Sequence, residues 1–195
     1  MSEAGAAYRH LHDDAVRALT AWQAPDAAQE ALRRGYLEHL HVHPHGVAKA
    51  GPPEHLTAGV LLFSAGLDAV LLTLHGKAGV WLQLGGHLEP EDASLYAAAA
   101  REAREESGID GVRVLPEIAQ LDRHLLVGSF GRCREHLDVR FAGVAPPGAQ
   151  PVRSAESRDL AWWPLDALPE PTAAEMAALA RACRRVLDGS ADGTS

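Results

Sequence analysis

The sequence predicts a mixed α/β fold, strands arranged around one central helix, preceded by a helical extension. Three observations predict it. The hydrophobic period changes from helical to strand-like near Leu56, and one long alanine-rich run lies between two sets of strand candidates. Apolar residues at 47% and charged residues at 23%, over 195 residues, are the balance of a globular chain able to bury a core.

The elements follow in order. Leu11, Ala15, Ala18, Leu19 and Trp22 form one helical stripe, and Pro25 ends it. Asp26 is placed to cap a second helix carrying Ala31, Leu32, Tyr36 and Leu40. HVHPHGVAKAGPPEH has no period and reads as a linker. TAGVLLF and DAVLLTLH, separated by SAGL, predict a hairpin. GVWLQLGGHLEPED breaks into a glycine-containing loop, and SLYAAAAREAREES is helical by propensity, with Gly108 placed to end it. VRVLPEIAQL, HLDVRFAGVA and DLAWWPL are further strands, and a closing helix runs from Thr172 to Leu187. These divide the chain into a helical extension and linker at 1–50, a domain at 51–188 and a disordered tail at 189–195.

A net charge of −8 argues against a nucleic-acid or membrane-surface binder, which would show a basic patch. The start lacks the grammar of a signal peptide, and no apolar run approaches a membrane span. Cys133 and Cys183 are too few for a disulfide framework or a CxxC zinc site. A reducing, cytoplasmic setting is the expectation.

The central helix poses a problem. At about 100° per residue, Glu105 lies at about −60° and Glu106 at about +40° from Glu102, so the three share a face. Leu95, Ala98 and Ala99 fall on that same face. A solvated acidic face would lie opposite the apolar stripe, not in line with it. Like charges at these spacings repel by roughly 0.2–0.5 kcal/mol per pair. Carboxylates gathered at a core edge suit hard divalent cations such as Mg²⁺ or Mn²⁺, which would offset that repulsion.

The segment GGHLEPEDASLYAAAAREAREESGI, Gly85 to Ile109, resembles the signature of the Nudix hydrolases, G-x5-E-x7-R-E-U-x-E-E-x-G-U with U aliphatic. The right half matches from Arg101 to Ile109. On the left, fourteen residues separate Gly86 from Arg101, one more than the pattern, and no glutamate holds the middle position. Asp92, Glu91 and Glu89 are the acids available to support Arg101, and Ala103 is small for its place. The flanking strands are similar too, so the resemblance covers roughly 56–187.

The resemblance implies a Nudix-type mixed-sheet α/β/α sandwich that splits a nucleoside diphosphate linked to another moiety, by attack of water on phosphorus. It implies Glu102, Glu105, Glu106 and the Gly86 carbonyl as metal ligands, with Mg²⁺ as cofactor and Mn²⁺ as substitute. Arg101, Asp92, Gly85 and Gly108 would support the box. The base is Glu102 within the box or an acid outside it, Glu156 first, then Glu135 and Asp159. His87, and His136 with Asp138, are candidates to face substrate or hold a softer metal, against the ordinary reading of surface histidines. His41, His43 and His45 alternate but lack four-ligand spacing. Trp81, Trp162 and Trp163 would stack a base or, more ordinarily, fill core.

Two other functions fit the same fold: a Nudix-fold module that binds or senses a nucleotide without turnover, and diphosphate isomerisation. The intact glutamates argue against the first, and no extra acid/base pair supports the second. The expected partner is a small nucleotide diphosphate; a homodimer through the helical extension is compatible with any of these readings.

Overall fold

Helix α1 (Arg9–Ala21) and helix α2 (Ala27–Val42) open the chain in a computed structural model describing residues 7–76, 78–126, 131–154 and 157–192. The anticipated stripe is buried at Leu11, Ala15, Leu19 and Trp22, whereas α2 buries Tyr36 and Leu40 but leaves Ala31 exposed. Asp26 caps α2 as expected, its carboxylate accepting from the Gln29 amide at 2.8 Å.

Among the described residues seven strands follow: β1 (Glu54–Phe63), β2 (Ala69–His75), β3 (Trp81–Leu82), β4 (Leu84–His87), β5 (Arg113–Leu125), β6 (Glu135–Val144) and β7 (Ser157–Pro164). Helix α3 (Leu95–Ser107) lies between β4 and β5, and helix α4 (Met176–Asp192) closes the chain. The sheet order is β3-β2-β1-β6-β5, with β4 also on β1 and β7 on β2. The mixed α/β class with N-terminal helices therefore stands. The glycine-containing stretch expected as loop instead carries β3 and β4. Residues 189–192, expected in the tail, continue α4, where the Ser190 hydroxyl donates to the Leu187 carbonyl at 2.8 Å.

The chain divides into two compact units. The first comprises Met1–Ala58, Gly86–Ala98 and Leu121–Val139. Within it the N-terminal helices are tied down by polar anchors. The Gln29 side chain donates to the Leu121 carbonyl (3.0 Å) and accepts from its amide (2.8 Å), completing one rung at a strand edge. The Tyr36 hydroxyl meets the carbonyls of Asp122 and Asp138. Of residues 41–55, expected as linker, 41–42 end α2, 54–55 begin β1, and 43–53 wind into turns closed by Gly46 N–H to the His43 carbonyl and Leu56 N–H to the Gly46 carbonyl, with Val47 buried.

The second unit comprises Gly59–Gly85, Ala99–Gln120 and Arg140–Ser195. β2 runs antiparallel to β1 (Phe63↔Val70), β3 (Leu74↔Trp81) and β7 (Val70↔Trp163). Leu61, Phe63, Val70 and Leu72 pack against Met176, Leu179 and Cys183 of α4. Val60 and Leu62, on the other face of β1, are equally buried, so the strand is covered on both sides. Trp81 and Trp163 meet edge to face at 5.3 Å and belong to this core. Among the described residues no helix is long and apolar enough to cross a membrane.

Candidate active site

Helix α3 presents the glutamates, and both its ends are fixed. At its start the Ser94 hydroxyl accepts from the Ala97 amide at 3.0 Å, and Asp14 of α1 accepts from the Leu95 amide at 2.8 Å. These two oxygens satisfy amides that a helix leaves without partners of its own. At its end Gly108 adopts φ +62° and donates to the Arg104 carbonyl at 2.8 Å. A β-carbon at Gly108 would meet the Val152 carbonyl oxygen at 2.8 Å, so glycine is required twice over. The Val152 amide in turn donates to the Ser107 carbonyl at 2.8 Å.

Within this frame the carboxylates are partly compensated. Arg101 Nη1 donates to Glu102 Oε1 at 2.9 Å and to Glu105 Oε2 at 3.0 Å. Glu106 Oε2 accepts from the Gly85 amide at 2.7 Å. The guanidinium thus supplies part of the charge compensation that the sequence assigned to metal alone. Glu102 and Arg101 are largely covered, while the Glu105 side chain is 60% exposed and open to an incoming ligand. Three carboxylates on one helix face are a hard oxygen donor set and fit a divalent cation such as Mg²⁺.

Of the acids expected to support Arg101, Asp92 is buried and its Oδ2 accepts from the Glu89 amide at 2.8 Å, closing the turn before α3. Its carbonyl also meets His10 Nε2 at 2.7 Å. Glu156 lies outside the described residues. Glu135 is held by both oxygens on Arg123, each at 2.7 Å, and Asp159 is exposed on β7 with Oδ1 accepting from the Leu160 amide. His41, His43 and His45 are exposed.

The remaining candidates come together, within the first unit, with two residues that sequence reasoning passed over. His87 of β4 and His136 of β6 meet His55 of β1, the three ring centroids lying 5.1–5.3 Å apart. Cys133 Sγ is 4.0 Å from His87 Nε2. One ligand atom from each of His55, His87, Cys133 and His136 lies within 4.8 Å of all the others. Burial, then the neighbouring His136 and Lys49, pushes the His87 imidazole down to about 3, so it is neutral at physiological pH. Burial likewise lowers His55. Asp138 accepts from the Thr57 hydroxyl and lies 3.3 Å from His124 Nδ1, forming a second cluster with Asp122. The only sequence signal for His55 and Cys133 was their residue type, since they stand 78 positions apart (133 − 55).

A fold of this topology carrying a glutamate helix between β4 and β5 defines a class, and comparison with known proteins gives it a name. A family model described as NUDIX domain matches residues 53–183. The chain belongs to that family, and it is an enzyme of the Nudix pyrophosphohydrolase class. No curated protein sequence matches it. Similar solved structures include a C. elegans Ap4A hydrolase in a binary complex, at 20% identity, TM-score 0.55, covering 69% of this chain and 98% of that one. The MutT protein of Methanosarcina mazei Go1 is 22% identical, TM-score 0.54, covering 70% and 96%. The NUDIX domain of Shewanella oneidensis NrtR, complexed with ADP ribose, is 22% identical, TM-score 0.52, covering 77% and 97%. At these identities the likeness speaks for the fold.

Proposed function

We propose that the chain hydrolyses a diphosphate linkage in a nucleotide or nucleotide-like substrate, with Mg²⁺ (or Mn²⁺) held by Glu102, Glu105, Glu106 and the Gly86 carbonyl. The observation that carries this reading is the fixed turn of α3, which presents three carboxylates on one face in a chain of the NUDIX domain family. A divalent ion bound there neutralises diphosphate charge and acidifies a coordinated water. Glu102 and Glu105 are kept in place by Arg101, so their oxygens need little reorganisation to receive a ligand. The water oxygen forms a bond to phosphorus, the bridging P–O bond breaks, and the water proton passes to a carboxylate, Glu156 or Glu102. An acidic chain meeting an anionic substrate relies on the cation for attraction. Residues 51–188 form the hydrolase domain in this reading, 1–50 its extension, and the setting is cytoplasmic.

The test is phosphate release from a panel of nucleoside diphosphate derivatives, including a dinucleotide polyphosphate, ADP ribose and nucleoside triphosphates, with Mg²⁺ or Mn²⁺. Glu105→Gln is expected to lower turnover by about 100-fold or more, since losing even the supporting partner of a metal ligand costs roughly 10–100-fold. Tight binding of one compound with no turnover of any would overturn this reading of the substrate class.

A further inference from the structure

We propose that His55, His87, Cys133 and His136 form a second metal site, separate in chemistry from the glutamate turn, that takes a zinc-class divalent transition ion as a structural clamp. Four donors is the coordination number of structural zinc, and three imidazoles with one thiol are softer ligands than Mg²⁺ accepts.

The geometry is close to what such an ion needs. Zinc–nitrogen bonds near 2.0–2.1 Å and zinc–sulfur bonds near 2.3 Å give tetrahedral ligand–ligand edges of roughly 3.3–3.6 Å. The ligand atoms lie within 4.8 Å of one another, and the sulfur stands 4.0 Å from His87 Nε2. Closing by about half an ångström at that edge, and by up to about 1.5 Å at the longest, completes coordination, a motion within the reach of side-chain torsions.

His55 supplies an independent observation. It is fully buried, and its Nδ1 lies 3.1 Å from the Pro52 carbonyl. A carbonyl only accepts, so Nδ1 carries the proton and Nε2 is left with a lone pair. That buried Nε2 has no hydrogen-bond partner. A buried acceptor without a partner is costly, and a metal ion is the partner that a ring oriented through its other nitrogen ordinarily serves.

The backbone assembles the set from separate segments. The Arg134 amide donates to the Pro53 carbonyl at 2.9 Å, which brings Cys133 to the start of β1 and His55. Asp138, two residues after His136 on the same strand, has its Oδ2 3.3 Å from His124 Nδ1, and the His124 ring stands 5.5 Å from that of His136. With one thiolate and three neutral imidazoles the bound ion keeps a residual charge of +1; the Asp138 carboxylate offsets it and Lys49 opposes it. Binding exchanges the Cys133 thiol proton for the metal. The other thiol, Cys183, is buried on the Phe141 carbonyl and pushed up to about 12, so it does not compete.

The experiment uses the full chain, stripped with EDTA and titrated with Co²⁺ in excess Mg²⁺ to keep the glutamates occupied. One equivalent should give a thiolate-to-cobalt charge-transfer band and tetrahedral d–d bands, which Zn²⁺ displaces and added Mg²⁺ does not. Cys133→Ser should abolish the charge-transfer band, His55→Gln and His136→Gln should each weaken binding by about 10–100-fold, and Glu105→Gln should leave the spectrum intact. A folded wild type without the band, or a band that survives in Cys133→Ser, overturns the proposal.

Discussion

The glutamate turn of α3 and the histidine–cysteine cluster are built in opposite ways. The turn gathers three charged oxygen donors from five consecutive residues, keeps Glu105 exposed, and balances its charge with Arg101 and the Gly85 amide. The cluster gathers three imidazoles and one cysteine sulfur from distant segments and buries His55 completely. Charge that stays near water tolerates exchange of ligands, which a catalytic cation needs. Imidazole donors lose little by burial, and an ion held by the four crosslinks their segments. The contrast is therefore one of lability against permanence.

Arg101 gives the sharpest way to break this comparison. Removing it as Arg101→Gln leaves Glu102 and Glu105 without the group that bridges them, and turnover should fall by about 10–100-fold, as when the supporting partner of a metal ligand is lost. The Co²⁺ spectrum of the cluster should not move. If the spectrum changes along with kcat, the two donor sets act as one site and the distinction between them fails.

How far each region could be read from sequence follows from the same difference. The glutamates repeat at helical spacing within one segment, so the sequence alone displays Glu102, Glu105 and Glu106 as one face. Gly108 and Asp26 were legible for the same reason, because caps act on neighbours in the chain. His87, His136 and Asp138 were visible only as tempting side chains. Their meeting with His55 and Cys133 depends on tertiary pairing of β1, β4 and β6, which no local period encodes. The strands β3 and β4 were missed because two to four residues in a glycine-bearing stretch carry too little alternation to register. Asp14 capping Leu95 was hidden likewise, 81 residues from its partner.

Acid offers a second way to separate the regions. The folded chain holds His87 and His55 neutral with pKa values depressed by burial, whereas the unfolded chain protonates them near 6.5. Below about pH 6.5 the unfolded state therefore binds more protons, and stability falls as pH drops toward about 3, where His87 itself protonates. His87 contributes up to about 1.4 kcal/mol per pH unit in that window. Urea midpoints of the EDTA-treated chain should decline between pH 7 and pH 5, and His87→Gln should flatten that decline. An unchanged slope in His87→Gln would mean the buried imidazole is not what resists acid.

The smallest effect tests what the N-terminal extension contributes to the glutamate helix. Asp14 reaches from α1 to the Leu95 amide at 2.8 Å, and it also meets Arg17 at 2.5 Å. The Arg17 side chain is 71% exposed, so that ion pair contributes little and the cap is the stronger of the two contacts. Asp14→Ala should then cost about 1 kcal/mol in urea unfolding, the usual loss of an N-terminal cap. Asp14→Asn keeps an oxygen able to accept from the amide and should recover most of that stability, while Arg17→Ala should cost no more than a few tenths of a kcal/mol. If Arg17→Ala matched Asp14→Ala, the ion pair would be the anchor. The extension would then stabilise the chain through its own surface, with no cap for the helix that carries the glutamates.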